Sequence, residues 1–416
     1  MREWGMTLPG LRQRASAIAE LPALGLLTLA GITPEPWTCS YHPALCVSEA
    51  LIEDIALRKP SLVAISALTA SVEEAYRLSR QLHRRNIPTV IGGLHATACP
   101  DEAGQFCNAV VVGSGEPVWR GVLVDAEAGR LASRYEASRR DRFEWSLPRL
   151  DLLGANPPRF TLQTQRGCPL ACEFCGASRL LGPFREKPIE MIRQELKAIC
   201  AVSPKPLLEL ADDNTFVGKR DFDLLFDALG QSGARWFTEA DWRFGERPSV
   251  LARLAEAGCK QVLVGIESLV FRYPGQGEKQ SRLERMMDAL GAIQESGVVV
   301  NGCFIVGADG ETRQSLDRLA DFILNSPLAE VQVTVQTPFP GTELYQRLHR
   351  SGRLLPERGW SHYTLFDVTH RPDVLSVDEL EKGFRDLLHN VYSTEASQRR
   401  SRLRRRIWRR AKGDAA

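Results

Sequence analysis

The sequence predicts an α/β protein: an N-terminal doubly wound, Rossmann-like parallel sheet, then a partial (β/α)6 barrel of the TIM type, then a C-terminal helical segment. Two runs of alternating strand and helix signals support this prediction, and they are separated near residue 150. The 416 residues are enough for two domains. We place the first domain at 1–135, a linker at 136–158, the barrel at 159–350 and the helical segment at 351–416.

The first run has the βαβαβ order of an open parallel sheet. Its strand candidates are short apolar stretches, SLVAIS (61–66), PTVIGG (88–93) and AVVVGSGE (109–116). A helical pattern follows the first strand, with Val72, Ala75, Leu78 and Leu82 on one face. Ligands of such sheets bind beyond the carboxyl ends of the strands, which is where the glycines of the second and third strands fall.

The second run contains six strand candidates at regular spacing, which favours a barrel over a second open sheet. The candidates are TLQT (161–164), LLELAD (207–212), RWFTEA (235–240), QVLVGIES (261–268), VVVNGCFIVG (298–307) and EVQVTVQT (330–337). Helical patterns separate them, and from about Ser376 onward the signal is helical only. Active groups of such a barrel should lie at the carboxyl ends of its strands.

The composition is that of an ordinary globular chain, with 44% apolar and 25% charged residues. No apolar stretch is long enough to cross a bilayer, and the N-terminus lacks the order of a secretory signal, so we expect a cytoplasmic protein. Residues 399–416 carry nine basic residues and one acidic residue, a charge of +8. The total is +2, so the first 398 residues carry −6, which argues against a specific nucleic-acid partner.

One group of cysteines is clustered. RGCPLACEFCGAS places Cys168, Cys172 and Cys175 as C-x-x-x-C-x-x-C directly after the first barrel strand. The other seven of the ten cysteines are scattered, which is unlike a disulfide framework. Buried free thiols are the interpretation for three of them, Cys200, Cys259 and Cys303.

Three thiolates on one loop can converge on a single metal site. A structural zinc ion requires four closed ligands, and the nearest histidines in the sequence, His95 and His349, are distant. A 4Fe–4S cluster held by three thiolates instead leaves one iron open to chelate a small molecule. A chance grouping, or a redox pair with a third spectator cysteine, is the alternative.

This spacing, with Phe174 just before the third cysteine, resembles the radical S-adenosylmethionine (SAM) superfamily. The resemblance implies that the open iron binds SAM, with Phe174 near it. It also implies that an electron, from a donor such as flavodoxin or ferredoxin, cleaves SAM to methionine and a 5′-deoxyadenosyl radical. That radical abstracts hydrogen from the substrate, while the barrel orients the reactants.

Further barrel segments agree with this resemblance. LADDN (210–214) is similar to the motif that holds the SAM amino group, which points to Asp212, Asp213 and Asn214. A helix N-cap is the alternative role for these residues.

GIES (265–268) resembles the segment that approaches the SAM ribose and carboxylate, through Glu267 and Ser268, and an ordinary strand-end turn is the alternative. Glu239 is a weaker candidate for the same ligand. NGCFIVGADGET (301–312) resembles the segment that passes the adenine, where Val306 and Gly307 would offer backbone contacts.

The N-terminal run resembles the branch of the superfamily with a cobalamin-binding domain. The matching stretches are LPALGLLTLAG, SLVAISALTASVEEA, PTVIGGLHAT and AVVVGSGEPVW. The resemblance implies a corrin ring between the sheet edge and the barrel mouth. The residues expected to face it are Ser66, Thr69, Ser71, Gly92, Gly93, His95, Gly113, Gly115 and Glu116. Glycines that merely turn the chain are the alternative.

Two features depart from that branch. The Asp-x-His-x-x-Gly signature of a lower axial histidine is absent, and His42 in SYHPAL has neither the Asp nor the Gly. The segment Met1–Pro22 also contains no convincing first strand, and an incomplete sheet would bind cobalamin poorly.

The expected function is that of a cobalamin-dependent radical SAM enzyme that methylates an unactivated carbon, or phosphorus, of a small-molecule or lipid substrate. The alternatives are hydrogen abstraction, cyclisation or carbon–carbon bond formation without cobalamin turnover, and an iron–sulfur redox carrier or sensor. The sequence identifies no catalytic side chain. Four aromatic residues hint at an apolar substrate or at ordinary core packing: Trp236, Phe237, Trp242 and Phe339.

The C-terminal segment Ser397–Lys412 predicts a cationic helix with Leu403, Ile407 and Trp408 along one side. Such a helix can settle on anionic lipid as a peripheral membrane contact, or on RNA. A solvated tail is the alternative.

Overall fold

A computed structural model describes residues 22–44, 46–137, 143–154, 157–277 and 282–411. The expectation that Met1–Pro22 lacks a strand therefore lies outside the described residues, apart from Pro22 itself. Among the described residues, no helix combines the length and the apolar character needed to cross a membrane.

The first sheet has four parallel strands in sequential order, β1–β2–β3–β4. They are β1 (Val63–Ser66), β2 (Thr89–Gly92), β3 (Ala109–Val112) and β4 (Arg134–Glu136). The first three are the predicted strands. The fourth was not predicted, because its sequence RYE is short and exposed at both ends and so gives no apolar signal.

Helices cover this sheet. They are α1 (Leu24–Gly31), α2 (Glu49–Leu57), α3 (Val72–His83), α4 (Leu94–Ala98), α5 (Pro100–Ala103) and α6 (Trp119–Glu127). Helix α3 buries Val72, Ala75, Leu78 and Leu82, the face that the sequence pattern predicted.

The second sheet has six parallel strands in the order β12–β11–β10–β9–β8–β5, which is a partial barrel. They are β5 (Phe160–Leu162), β8 (Leu207–Leu210), β9 (Arg235–Ala240), β10 (Cys259–Glu267), β11 (Val299–Val306) and β12 (Glu330–Val335). Two short strands, β6 (Gln165–Arg166) and β7 (Arg185–Glu186), form a separate antiparallel pair. The predicted fold class is confirmed.

The barrel helices lie outside the strands. They are α7 (Ala177–Leu180), α8 (Ile189–Val202), α9 (Phe222–Gln231), α10 (Pro248–Leu254), α11 (Leu283–Glu295), α12 (Arg313–Asn325) and α13 (Glu343–Arg350). Strand β5 ends earlier than the predicted TLQT. The Thr164 and Gln165 amides donate to the carboxylate of Asp212, at 2.7 and 3.0 Å, instead of continuing the sheet.

One face of each barrel strand packs against the helices, and the other faces the barrel interior. Trp236 and Trp242 are fully buried in the core between strands and helices. Of the two interpretations that the sequence left open for these side chains, ordinary core packing is the one that agrees with their burial. Phe237, by contrast, follows Trp236 on the opposite face of β9.

Two C-terminal helices complete the chain, α14 (Val377–Val391) and α15 (Thr394–Arg410). Helix α15 packs at the end of the barrel where the strands begin. There Trp408 Nε1 donates to the Lys260 carbonyl, and Arg404 pairs with Glu330 at 2.5 Å.

The predicted domain boundaries stay predictions. The first sheet ends at Glu136, and the second begins at Phe160.

Candidate functional site

The cysteine loop begins directly after β6 and is held by backbone contacts. Ala171 N donates to Gly275 O and Glu173 N donates to Pro274 O, at 3.2 and 3.0 Å. Gly275 has φ +81°, and a Cβ there would lie 1.8 Å from Ala171 O, so only glycine allows this approach. The segment after β10 therefore fixes the course of the loop.

The three thiols lie on this one loop. Cys172 is buried, while Cys168 and Cys175 are partly buried. Burial raises the pKa of Cys168, and the nearby charges of Cys175 and Asp213 raise it further. Within the described residues, no group of three or more His, Cys, Asp or Glu side chains has the arrangement of a bound metal ion.

An ion pair, buried on its carboxylate side, ties the same loop to helix α13. Glu173, between the second and third cysteines, is buried and accepts two hydrogen bonds from Arg347 of α13, at 3.1 and 3.0 Å. Arg347 also pairs with Asp309, at 2.6 Å, beyond the end of β11. The sequence analysis missed this network, because 174 positions separate Glu173 from Arg347.

Two adjacent aspartates follow β8 and have different environments. Asp212 is buried and accepts hydrogen bonds from Thr164 and Gln165. Asp213 accepts one from the Gly167 amide beside Cys168, and burial, aided by the charge of Asp212, raises its pKa to about 6. Its buried Oδ2 has no hydrogen-bond partner in the described part of the chain. Asp213 is therefore suited to bind a cation, and Asp212 is not.

No helix begins at these aspartates, because α9 starts at Phe222 with Asp221 as its N-cap. The helix-cap alternative is therefore wrong. Asn214 instead joins the ends of β8 and β9, donating to the Asp241 carboxylate at 3.2 Å and accepting from the Asp241 amide at 3.0 Å. It also hydrogen-bonds the Cys168 thiol.

Two predicted SAM residues lie at the end of β10. Glu267 has φ +67°, a conformation that is strained for a residue with a side chain. Ser268 Oγ accepts from the amides of Val270 and Phe271, at 3.2 and 3.0 Å, so it forms the turn that was its alternative role. Glu239, at the end of β9, is exposed.

The segment predicted to pass the adenine makes hydrogen bonds and packing contacts within the protein. The Val306 side chain is fully buried in the outer core, and its carbonyl accepts from Gln336 N at 2.8 Å. The Gly307 carbonyl hydrogen-bonds His370 at 3.0 Å. Phe174 packs edge-on against Tyr273, with ring centroids 4.7 Å apart. The Val306 side chain is therefore closed to a ligand, and the backbone contact to SAM stays a prediction.

A cavity of about 790 Å³ opens beside β1. Its lining includes Ser66 and Ser71, both exposed, and His42. Gly93 has φ +100°, and a Cβ there would come within 3.0 Å of Ser66 Oγ. The predicted glycines Gly92, Gly93, Gly113 and Gly115 are all partly exposed at this carboxyl edge. The cavity is large enough for a flat or chain-like group, whereas the four glycines lie outside its lining.

Three predicted cobalamin contacts face elsewhere. His95 is enclosed, with Thr69 Oγ1 at 3.3 Å, Glu102 at 3.5 Å and the Trp360 ring against it. Thr69 is buried by that contact. Glu116 forms an ion pair with Arg166 at 2.7 Å. We therefore correct the roles of His95, Thr69 and Glu116, since each side chain is already committed within the protein.

The barrel interior carries polar groups. Thr161 and Glu209 lie opposite each other on β5 and β8. Their neighbours in each strand pack outward against the helices, so these two side chains face inward, as does Asn301 on β11. Thr161 Oγ1, Glu209 Oε2 and Asn301 Oδ1 are buried atoms that have no hydrogen-bond partner among the described residues. All three can accept hydrogen bonds, so the interior is suited to an occupant that donates them.

Two family models match the chain, the radical SAM superfamily at residues 162–323 and the B12 binding domain at residues 14–123. The chain belongs to the radical SAM superfamily, in the branch with an N-terminal cobalamin-binding domain. The two domains imply its cofactors, which are a 4Fe–4S cluster, SAM and cobalamin. The three cysteines, the unpartnered oxygen of Asp213 and the cavity beside β1 fit this set.

Curated relatives of this radical SAM enzyme include two methyltransferases. Bacteriochlorophyllide d C-12(1)-methyltransferase of Chlorobaculum tepidum is 26% identical over 82% of this chain and 76% of its own length. Hopanoid C-2 methylase of Rhodopseudomonas palustris is 25% identical over 92% of this chain and 73% of its own.

Two solved structures share the fold. The radical SAM methyltransferase TsrM of Kitasatospora setae matches 88% of this chain and 91% of its own, with a TM-score of 0.62 and 14% identity. The cobalamin-dependent enzyme OxsB matches 80% of this chain, with a TM-score of 0.59 and 17% identity, and this chain spans 54% of its length.

Proposed function

We propose that the enzyme methylates an unactivated carbon, or phosphorus, of a small-molecule substrate bound in the barrel. The ion pair between Arg166 and Glu116, at 2.7 Å, carries the proposal. Arg166 ends β6, two positions before Cys168, and Glu116 belongs to the loop after β3. The pair is mostly shielded from solvent, so it holds the cysteine loop beside the cobalamin-side edge of the first sheet.

A second contact supports the same arrangement. Trp360, from the C-terminal segment, donates through Nε1 to Glu102 at 2.9 Å and through its amide to Glu73 at 3.0 Å. Both glutamates belong to helices of the first domain. Polar contacts therefore join the first domain to the rest of the chain both at Arg166 and at Trp360.

When bound, the cluster supplies the electron that cleaves SAM, and cobalamin carries the methyl group. Cys168, Cys172 and Cys175 would hold the cluster through thiolates. The Asp213 carboxylate would orient SAM by accepting from its ammonium group, next to Cys168. Burial around Asp213 strengthens this interaction, since water competes less for the charges.

The barrel interior supports a substrate with hydrogen-bond donors. Thr161, Glu209 and Asn301 present acceptor atoms there, and a saturated hydrocarbon would leave them unsatisfied at a cost in free energy. A hydroxyl, amide or amine on the substrate would satisfy them. We propose this class over a wholly apolar lipid, and we propose an external electron donor such as flavodoxin or ferredoxin.

The test uses SAM carrying a trideuteromethyl group. The holoenzyme, reconstituted without oxygen, is incubated with small-molecule extracts of a strain that lacks it, and products are followed by mass spectrometry. The proposal predicts a product that contains the intact trideuteromethyl group. A product formed with 5′-deoxyadenosine but without deuterium would contradict methyl transfer and support hydrogen abstraction or cyclisation.

A further inference from the structure

The outer surface of α15 carries a row of arginines. Arg402, Arg405, Arg406 and Arg409 recur at three- and four-residue steps, so they share one side of the helix over about 10 Å. All four are exposed, and none forms an ion pair with a carboxylate in the described part of the chain. We call these four residues the arginine face.

The opposite side of α15 is fixed to the barrel. Ile407 is buried against Val299 and Ala329, and Arg404 pairs with Glu330 at 2.5 Å. Arg400 is buried and donates to the Val391 carbonyl at 2.5 Å. The apolar side of the helix is thus occupied by the protein, and the helix has no free apolar face to insert into a bilayer. The arginine face points outward permanently.

We propose that the arginine face docks the enzyme on an anionic phospholipid surface by charge alone. Each guanidinium offers several donors in a planar fork that fits a phosphate, and four of them on one convex ridge match a plane of phosphates. The rest of the chain is net negative, since the first 398 residues carry −6 against a total of +2. Attraction to anionic lipid is therefore confined to this end of the molecule.

The geometry favours lipid over nucleic acid. A helix that reads a groove must project into it, whereas α15 lies flush with the barrel along its inner side. Its Trp408 is 37% exposed, but its N–H is held by the Lys260 carbonyl, so the ring is not free to stack on bases.

The docked orientation follows from the fold. Helix α15 lies where β10 and β12 begin, whereas the cysteine loop and Asp213 lie at the opposite ends of the strands. Docking by the arginine face therefore leaves the barrel mouth directed away from the membrane, open to a soluble substrate and to an electron donor.

The test is co-sedimentation of the full-length protein with vesicles of phosphatidylcholine, alone or with roughly a third phosphatidylglycerol. We expect binding to the anionic vesicles only, and release when salt rises from about 0.1 M to about 0.5 M. Replacing all four arginines of the face by glutamine should weaken binding by about 100-fold or more, because each basic group near such a surface contributes roughly fivefold.

A control variant carries the same change in net charge on other exposed surfaces: Arg84→Gln, Arg120→Gln, Lys197→Gln and Lys205→Gln. It should bind anionic vesicles like the natural protein. Any of four results would overturn the proposal. They are an equal loss of vesicle binding in the control variant, no binding to either kind of vesicle, binding that resists salt, and a preference for RNA over anionic vesicles. Far-ultraviolet circular dichroism confirms that both variants are folded, and cleavage of SAM should be unchanged in both.

Discussion

Glu173 and Arg347 form a two-pronged ion pair, at 3.1 and 3.0 Å, between the cysteine loop and helix α13. Glu173 is buried. In the sequence it directly follows Cys172 and lies two positions before Cys175. A negative side chain so close to an iron–sulfur cluster disfavours the added electron, and the guanidinium of Arg347 offsets it. The pair therefore acts on both the position of the loop and its electrostatics.

This pair yields a prediction for the reduction potential of the cluster. Arg347→Gln leaves the Glu173 charge uncompensated, and an unpaired negative charge beside the cluster lowers its reduction potential by on the order of 50–100 mV at an effective dielectric constant of about 20. The double variant Glu173→Gln, Arg347→Gln should return close to the natural potential. A redox titration followed by electron paramagnetic resonance measures this. Equal shifts in the single and double variants would show a purely structural role.

Asp213 should bind the SAM ammonium group. Asp213→Asn removes one charge-assisted hydrogen bond, so SAM binding should weaken by roughly 10- to 100-fold. Equilibrium dialysis of labelled SAM against the reconstituted protein measures the dissociation constant. Asp223→Asn, an exposed aspartate paired with Arg253, is the matched control. Unchanged affinity in Asp213→Asn would exclude this role for the carboxylate.

His370 should make the fold sensitive to acid. Burial lowers the pKa of His370 to about 4, below its ordinary value of 6.5. The unfolded chain then binds more protons between these values, so stability is full above pH 6.5 and falls as the pH drops toward 4. By pH 4.5 the loss should be on the order of 2–3 kcal/mol.

Urea unfolding at pH 7 and pH 4.5 measures this loss for the natural protein and for His370→Gln. Because carboxyl groups titrate in both proteins, only the difference between them reports His370. The variant should lose less stability than the natural protein on acidification. An identical loss in both would contradict the assignment.

The cavity beside β1 should accept part of cobalamin. Ser66 lines it at the carboxyl end of the strand, so Ser66→Phe should narrow it and weaken cobalamin binding by at least about tenfold. Ser133→Phe places the same ring at an exposed position before β4, away from the cavity lining, and should have little effect. Cobalamin absorbance retained after desalting is the measurement. Full retention in Ser66→Phe would mean that cobalamin lies elsewhere.

The strands could be predicted because each follows a short run of apolar residues, or of apolar residues alternating with polar ones, bounded by turn residues. All six barrel strands and three strands of the first sheet follow such runs. The three clustered cysteines could also be recognised from the sequence, because they lie close together in the chain. Strand β4 was missed because the composition of RYE gives no strand signal. Its backbone pairing with β3 is what makes it a strand.

The site residues that were misjudged depend on distant partners. His95 stands beside paired glycines in the sequence, but Trp360 covers it from 265 positions away in the chain. Asp212 and Asp213 are adjacent and alike in sequence, and their hydrogen-bond partners distinguish them, above all the amides of Thr164 and Gln165 that bind Asp212. Trp236 alternates with Phe237, and periodicity alone does not show which face of β9 meets the helices.

The most direct measurement follows the two products of SAM in the reconstituted holoenzyme under reducing, oxygen-free conditions. The account predicts both 5′-deoxyadenosine and S-adenosylhomocysteine. It also predicts that replacing Cys168, Cys172 and Cys175 together by alanine removes iron, sulfide and 5′-deoxyadenosine, whereas Cys303→Ala keeps all three. Undiminished 5′-deoxyadenosine in the triple variant, or none from the natural protein with a full complement of iron and sulfide, would contradict it.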